Sequence, residues 1–424
     1  MNTIPAKSRQ IGIVLLLGSM MLVNALDRGS LSVAAPLIIK DLHLDPGLMG
    51  IALSAFYWTY TLFNLPIGRL ADRFGAKKTL GGAVALWSLA SAATGLVRNW
   101  FGLVAVRLGV GAGESAGNVV GTKVIVDNFP SEARAAATAW YLSGTKLGMA
   151  VTSVVMGFLI AYWNWRAAFL ITGLASLLWC VAWHFGFEDS SRRKAAGAVQ
   201  AKTAVPWKQL LTNRCTVSLM AVKFCQDYIF IVFVTWVPSY LVLERHFTIL
   251  KMGIYAAIPW IVGFVSQPAT GHFSDWLIRK GVSITKARKY SLVGCQLVGA
   301  LVVAVGFIND PMMAVFLLTV NIAAESAAAG VTWTILAEVS PRNMGGSVPG
   351  AINTIGSLAG IFAPTITGFI FKFTGSFRGA LAVAGFGQLV SAAILLFIVP
   401  AIKPIQLAGE PFEPARLPPR ECNS

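Results

Sequence analysis

Apolar runs long enough to cross a bilayer alternate with short polar stretches along the whole 424-residue chain. A helix needs roughly 20 such residues to cross a hydrocarbon core about 30 Å thick. Twelve windows meet that length: 11–36, 47–70, 79–97, 100–127, 136–160 and 167–187, then 216–243, 252–275, 289–308, 311–337, 345–372 and 378–401. The pattern predicts an all-α membrane protein with twelve transmembrane helices. Between the sixth and seventh windows stands "EDSSRRKAAGAVQAKTAVPWKQ", residues 188–209, whose charged and small residues cannot enter lipid. The chain therefore divides into an N-terminal half (1–187), a linker (188–215), a C-terminal half (216–402) and a tail (403–424).

The two halves repeat one plan. "NWRAAFL" at 164–170 and "SFRGALA" at 376–382 lie 212 residues apart, and "SGTKLG", with Gly144 and Gly148, recurs at that offset as "IGSLAG", with Gly356 and Gly360. Duplicated helix sets are a frequent plan of secondary transporters, which place their substrate between the repeats. After the second window comes "GRLADRFGAKK", residues 68–78, echoed by "GHFSDWLIRKG" at 271–281. It resembles the signature loop of the major facilitator superfamily, and with the twelve windows and the duplication the resemblance covers the whole chain. The turn lets Asp72, beside Arg73, pair with arginines or a helix N-terminus on the neighbouring helix and so latch one conformation. Asp275 is its counterpart in the second half.

Composition excludes a soluble globular protein, since 56% of residues are hydrophobic and 12% charged. The net charge of +16 raises nucleic acid as a partner, but its placement answers otherwise. Most of the 34 Lys and Arg fall at the N-terminus (Lys7, Arg9), in loops 68–78, 188–215 and 276–289, and in the tail. By the positive-inside rule both termini and the linker are cytoplasmic, in a multi-pass protein of the cell (inner) membrane that binds no nucleic acid. A signal-peptide reading of the first window is opposed by Asp27 and Arg28 ahead of its "SVA". Cys180, Cys215, Cys225, Cys295 and Cys422 form no CxxC pair, so no metal site or cofactor is expected.

A charge inside the bilayer costs at least about 2.5 kcal/mol, which makes each one a functional candidate. The acids are Asp27, Glu114, Asp227 and Glu325; the bases are Arg28, Arg107, Lys123, Lys146 and Lys223. In the fourth window, "VRLGVGAGESAGNVVGTK" at 106–123, helical spacing aligns Arg107, Gly111, Glu114, Asn118 and Thr122 on one stripe. Gly109, Gly113, Gly117 and Gly121 form a second, of the small-xxx-small kind that packs helices. Arg107 and Glu114 are separated by a rise of about 10 Å, too far to neutralise each other. Lys223 and Asp227, at i and i+4, read equally as a structural pair or as part of a site. Glu325, one turn from Asn321, is open in the same way. "GESAG" at 113–117 fits the nucleophile elbow of hydrolases with Ser115 as nucleophile, but it lies in a helix-length run. His43, His184, His246 and His272 fall in loops or near helix ends, away from it. A membrane hydrolase is thus a distant alternative, and the chain reads as a transporter rather than an enzyme.

The stretches "LDRGSLSVAAP", "YWTYTLFNLPIGRLADRFG", "RLGVGAGES" and "GAINTIGSLAG" resemble the anion:cation symporter family. That resemblance implies that Arg28 and Arg107 bind a substrate carboxylate, that Asp27 and Glu114 carry protons, and that Tyr60, Gln226 and Asn353 line the cavity. Where sugar-acid members carry a tyrosine and a glutamine, this chain has Ala25 and Thr145. Trp58, Trp140 and Trp333 are candidates for an apolar lining, so a less hydroxylated or aromatic carboxylate is an expected substrate. Taking Thr145 and Trp333 with the family positions, the expectation is proton-coupled symport of an organic anion through two halves rocking about a central site. The partners expected are the anion, protons and the lipid bilayer, with a monomer as the transporting unit. The alternative in the same class is a proton-coupled drug or anion exporter.

Overall fold

A computed structural model describes residues 7–189, 207–341 and 347–405. Linker residues 190–206, the tail from 406 and with it Cys422 lie outside the described residues. Among the described residues there are helices and no strands. The first half comprises α1 (Lys7–Asp41), α2 (Pro46–Phe74), α3 (Ala76–Thr94), α4 (Trp100–Asn128), α5 (Ser131–Tyr162) and α6 (Trp165–Gly186). A short α7 (Trp207–Thr212) leads into α8 (Arg214–Leu243) and α9 (Ile249–Arg279), then α10 (Ile284–Gly299) and α11 (Val302–Val305). The chain continues through α12 (Pro311–Val339), α13 (Ser347–Ser357), α14 (Ala359–Thr374) and α15 (Arg378–Ala393), which runs into a π-helical turn at Ile394–Ile398.

The twelve windows thus become twelve rods, three of them jointed. The ninth breaks between α10 and α11, the eleventh between α13 and α14, and the twelfth widens into its π turn. The eleventh bends where Gly356 lies against Asp227 and Gly360 against the Tyr57 ring, contacts too close for any larger residue. Nine of the described helical stretches are long and apolar enough to cross a membrane by themselves. The other three, α2, α3 and α4, carry the polar, glycine-rich and charged residues of the candidate site and signature loop, which dilute their hydropathy. The first helix extends past its window at both ends and keeps Pro36 inside it.

Helix starts are written in the sequence and repeat between halves. Asn99 accepts from the Gly102 N–H to cap α4, and Asp310 accepts from Met313 to cap α12. Asp45 caps α2 through the Leu48 N–H, followed, like Asp310, by a proline at the first helical position. Gly375 closes α14 in the left-handed region (φ 67°), which suits a residue without Cβ.

Within the first half α1 packs on α5, α4 on α2 and α3, and α3 on α6; in the second, α9 packs on α12 and α8 on α13, α14 and α15. The halves meet chiefly through α2 against α14 and α5 against α9. The contacts concentrate at the end that holds residues 41–46 and 374–378. There the Gly50 Cα faces the Pro364 carbonyl, and Gly157 meets Gly253. Ser54 and Thr365 hydroxyls share a hydrogen bond of 2.8 Å, and Lys372 pairs with Asp45 at 3.2 Å. Beyond Tyr57 the halves part, because α13, the lower arm of the jointed rod, barely touches α2.

Candidate functional site

Five aromatic and charged side chains of the first half gather at its inner face. Arg28 on α1 donates through Nε to the Glu114 Oε2 on α4 at 2.9 Å, and a second guanidinium nitrogen lies 2.9 Å from the same oxygen. Arg107, two turns earlier on the same face of α4, forms no ion pair among the described residues, and its Nε is buried without a partner. Both guanidinium carbons lie over the Phe56 ring, at 4.9 Å for Arg28 and 5.0 Å for Arg107. Sharing one electron-rich face offsets part of the repulsion between two cations and leaves their N–H edges available. Arg28 also lies 5.2 Å over Tyr60, whose hydroxyl accepts from Asn118 Nδ2 at 3.2 Å.

Gly111 explains how this cluster closes. Sequence spacing put it on the polar stripe, yet a Cβ there would meet the Phe56 carbonyl at 2.1 Å. It lets α2 and α4 come close at Phe56, whose ring lies under both arginines. The glycine stripe expected to form a single packing face divides: Gly113 and Gly109 press on α3, while Gly117 and Gly121 make ordinary contacts with α1 and α5 residues. The charged stripe itself is not a ladder of internal pairs, for Glu114 takes Arg28 across helices rather than Arg107 along its own.

Asp27 adjoins Arg28 in sequence but not in environment. One residue further round the helix, it is 1% exposed and faces Trp87, Ser91 and Ser176 inside the first half. Neither carboxylate oxygen has a close hydrogen bond among the described residues. The structure therefore separates the two expected acids: Glu114 touches an arginine at the inner face, Asp27 sits behind it.

The remaining candidates are distributed over the second half and the seam. Gln226 on α8 accepts from the Thr332 hydroxyl at 3.1 Å, and its Nε2 is buried without a partner. Asn353 lies on α13 one turn before the Ser357 that bonds its carbonyl. Thr145 is half-buried on α5 beside Lys146. Trp333 is 43% exposed on α12, with Trp58 and Trp140 also exposed, so none of the three joins the arginine cluster. Lys223 and Asp227 are bonded to each other. Glu325 accepts from Gln388 Nε2 at 2.9 Å, while Asn321 turns away to the Gly299 carbonyl.

Ser115 does not stand on a strand-to-helix turn. It is fully buried within α4, and its hydroxyl donates to the Ala112 carbonyl at 2.7 Å, so the "GESAG" stretch lacks the context an exposed nucleophile needs.

The family model of the Major Facilitator Superfamily matches residues 17–364. The chain belongs to the major facilitator superfamily. Similar proteins include a hexuronate transporter of Bacillus subtilis (strain 168), 33% identical over 390 residues, 90% of this chain and 92% of the relative. A probable galactarate/D-glucarate transporter of the same organism is 30% identical over 420 residues and 92% of each chain. A probable L-galactonate transporter of Escherichia coli (strain K12) is 30% identical over 407 residues, 93% of this chain and 90% of that one. These relatives are sugar-acid transporters by name, in keeping with the branch that the sequence resembles. Among solved structures, a bacterial homolog of the human lysosomal transporter Spinster superposes with a TM-score of 0.77 at 17% identity, over 93% of this chain and 97% of that one. A D-xylose-proton symporter gives 0.76 at 16%, over 95% and 100%. At those identities the likeness is one of fold, and it fixes the twelve-helix facilitator architecture.

In this facilitator the signature loops of the two halves are held differently. Asp72 accepts from Lys123 Nζ on α4 at 2.8 Å, not from an arginine or a helix terminus, and Lys123 lies 3.7 Å from Asp127. Arg73 rests over Phe74 at 5.2 Å. The second half does use an arginine: Arg288 on α10 reaches Asp275 at 2.8 Å and Glu338 on α12 at 3.1 Å. Sequence reasoning missed Phe56 and Gln388 as members of these networks, and placed Asn118 on the polar stripe without its partner Tyr60. Phe56, one turn before Tyr60 on α2, was detectable from spacing; Gln388 was not, because its partner Glu325 is 63 residues away.

Proposed function

We propose that this facilitator imports an organic anion, of the sugar-acid or related carboxylate class, together with protons, by alternating access. The observation that carries the reading is Arg107, 4% exposed and without an acid, beside an Arg28 that is already tied to Glu114 over the same Phe56 ring. A carboxylate arriving there takes a two-point hold on guanidinium N–H groups and competes with Glu114 for Arg28. Burial favours the neutral form of an acid, and a nearby arginine favours the ionised one. Glu114 freed from Arg28 therefore keeps a proton while the anion is bound, and gives it up when the anion leaves and the pair reforms. That exchange couples the two movements. Asp27, behind the pair and out of contact with the cavity, serves as a second proton site that senses the state of α1 and not the substrate itself.

The distribution of Lys and Arg supports cytoplasmic termini and linker, in the inner membrane. In that orientation the packed end, with Asp45–Lys372 and Gly157–Gly253, faces outward, and the parted end opens to the cytoplasm. Asp72, Arg73 and Asp275 then stand at the cytoplasmic ends of their helices, where Lys123 and Arg288 hold each half together as the halves rock. Tyr60, Thr145, Gln226 and Asn353 are substrate-facing in this reading; Trp333 contributes only as the halves close. The names of the relatives favour a sugar acid, and Ala25 and Thr145 favour fewer hydroxyl contacts than in those proteins. Transport rather than catalysis also accounts for the buried, internally bonded Ser115.

The test is uptake into proteoliposomes of radiolabelled galacturonate, galactonate and galactarate under an inwardly directed proton gradient. Accumulation above the outside concentration, abolished by a protonophore and by Arg107→Ala, is the expected result. Equilibration without accumulation, or accumulation that drains the gradient in the opposite sense, overturns symport. Reaction of a cysteine placed at Ser190 with an impermeant reagent outside intact cells overturns the orientation.

A further inference from the structure

Lys146 belongs to the first half but is held by the second. Its ammonium lies 4.5 Å from the Phe230 ring centre on α8 and 5.3 Å from that of Trp260 on α9. The charges that face it are Glu325, Lys223 and Asp227. None pairs with it among the described residues: Lys223 and Asp227 hold each other, and Glu325 accepts from Gln388. Of the intramembrane cations named above, Lys123 has Asp72, Arg28 has Glu114 and Lys223 has Asp227. Among the described residues two are left without an acid, Arg107 and Lys146, and each rests on an aromatic face instead. An aromatic face steadies a cation without neutralising it, so each keeps the capacity to take an anion.

The height of Arg28, the other arginine of the site, relative to Lys146 follows from helix register. Ala25 on α1 packs against Gly148 on α5, and Gly29 against Thr152, so Arg28 is level with about the fifth residue beyond Lys146. At 1.5 Å per residue this is roughly 8 Å along the axis, a gap that a diacid of about five or six carbons bridges with both long side chains extended. Gly29, next to Arg28 in the chain, and Trp260, from the lysine's cradle, line one small cavity together with Thr152 and Val237. The arginine-bearing turn and the floor of the lysine's aromatic cradle are thus walls of the same space.

We propose that Lys146, cradled by Phe230 and Trp260, is a second anion-holding point of the transport site, and that it sets a preference for dicarboxylates over monocarboxylates. One carboxylate engages Arg107 and Arg28, and the other engages Lys146. Because the ammonium belongs to α5 and its cradle to α8 and α9, a bound second carboxylate ties the two halves around the substrate. The proposal rests on the anion-transport reading above and goes beyond it in assigning the substrate's second charge to a residue.

The experiment measures affinities of the purified full-length protein for galactarate and for galactonate, its monoacid counterpart, by titration calorimetry. Wild type binds galactarate more tightly. Lys146→Gln loses about tenfold or more in galactarate affinity, as expected for a charge-assisted contact, while galactonate binding is unchanged and reports an intact fold. Lys146→Arg retains the preference. Equal weakening of both ligands by Lys146→Gln overturns the proposal in favour of a general electrostatic or packing role for the lysine. No change in either, or a wild type that holds galactonate as tightly as galactarate or binds neither, overturns it as well. Arg107→Ala separates this from the reading beneath it: if that variant binds both ligands like wild type the anion site itself is misplaced. If it loses both while Lys146→Gln changes nothing, only the second point fails.

Discussion

The two halves share a plan but handle their buried charges differently. Among the described residues of the second half the buried charges on the inner helices are answered from within: Lys223 by Asp227 and Glu325 by Gln388. The first half is left cationic at its inner face, with one arginine tied to Glu114 and another tied to nothing. Duplication supplied the scaffold twice; the excess charge that can draw an anion sits in one copy only. An asymmetric site between symmetric halves lets one half hold the ligand while the other closes over it.

The largest effects should come from removing Arg28. In Arg28→Ala, Glu114 is left buried beside Phe56 without its partner, and breaking such a pair costs about 3 to 5 kcal/mol. Both carboxylate binding and thermal stability in detergent should fall, and adding Glu114→Gln should restore the stability but not the binding. Stability unchanged in Arg28→Ala would mean that the pair is incidental. Arg107→Ala sharpens the contrast, since it orphans no acid. It should lose about 1.5 to 3 kcal/mol of anion affinity, read by titration, with an unaltered melting temperature.

Next in size is the separation of the two acids. Glu114→Gln keeps the hydrogen-bonding shape of a neutral acid but can release no proton, so exchange of internal for external substrate should persist while uphill accumulation is lost. Asp27→Asn should uncouple in the same direction and leave anion affinity closer to wild type, because Asp27 does not touch the arginines. Affinity that falls equally in both variants would place Asp27 in the site after all.

In the second half the corresponding changes should be milder. Replacing Lys223 and Asp227 together by Met and Leu removes a self-contained pair, and such replacements are often neutral or stabilising by about 1 kcal/mol or more. Anion affinity within error of wild type in the double variant, with a clear loss of stability in Lys223→Met alone, is the expected pattern. A double variant that loses binding would return Lys223 to the candidate site.

The smallest effect concerns the packed end. Asp45 caps α2 and pairs with Lys372 on the opposite half. Partial burial works against its ionised form, but the Leu48 N–H and the Lys372 ammonium outweigh it and hold the carboxyl below the usual carboxylate range. The sign follows: this contribution is complete above the ordinary Asp range near pH 4 and fades as pH falls through the lowered value. Lys372→Gln should cost at most about 1 kcal/mol and raise the labelling rate of a cysteine placed at Ser54 from the outer side. The effect should be present at pH 7 and absent in acid. A pH-independent difference would assign the contact to packing alone.

Sequence alone determined the class and the plan of this protein. Window lengths gave twelve spans, because a bilayer admits few ways to satisfy a backbone, and the repeat offset gave two halves. The windows opening at 47, 100 and 311 begin beside the caps Asp45, Asn99 and Asp310, since capping is local. The charged candidates were also legible, for an ionised group in lipid stands out by its cost. What the sequence could not decide was which way each charge turns and what it meets. Asp27 and Arg28 are neighbours in the chain, yet a step of about 100° around α1 sends one into the bundle and the other to the seam. Gly111 read as part of a polar stripe until its approach to Phe56 showed that it positions a ring beneath two cations. Whether Lys123 or an arginine answers Asp72, and whether Glu325 finds Gln388, depends on residues brought together from distant helices. Periodicity reports the face of a single helix; pairing, and the two cations left without an acid, are properties of the packing between helices, which only the tertiary structure decides.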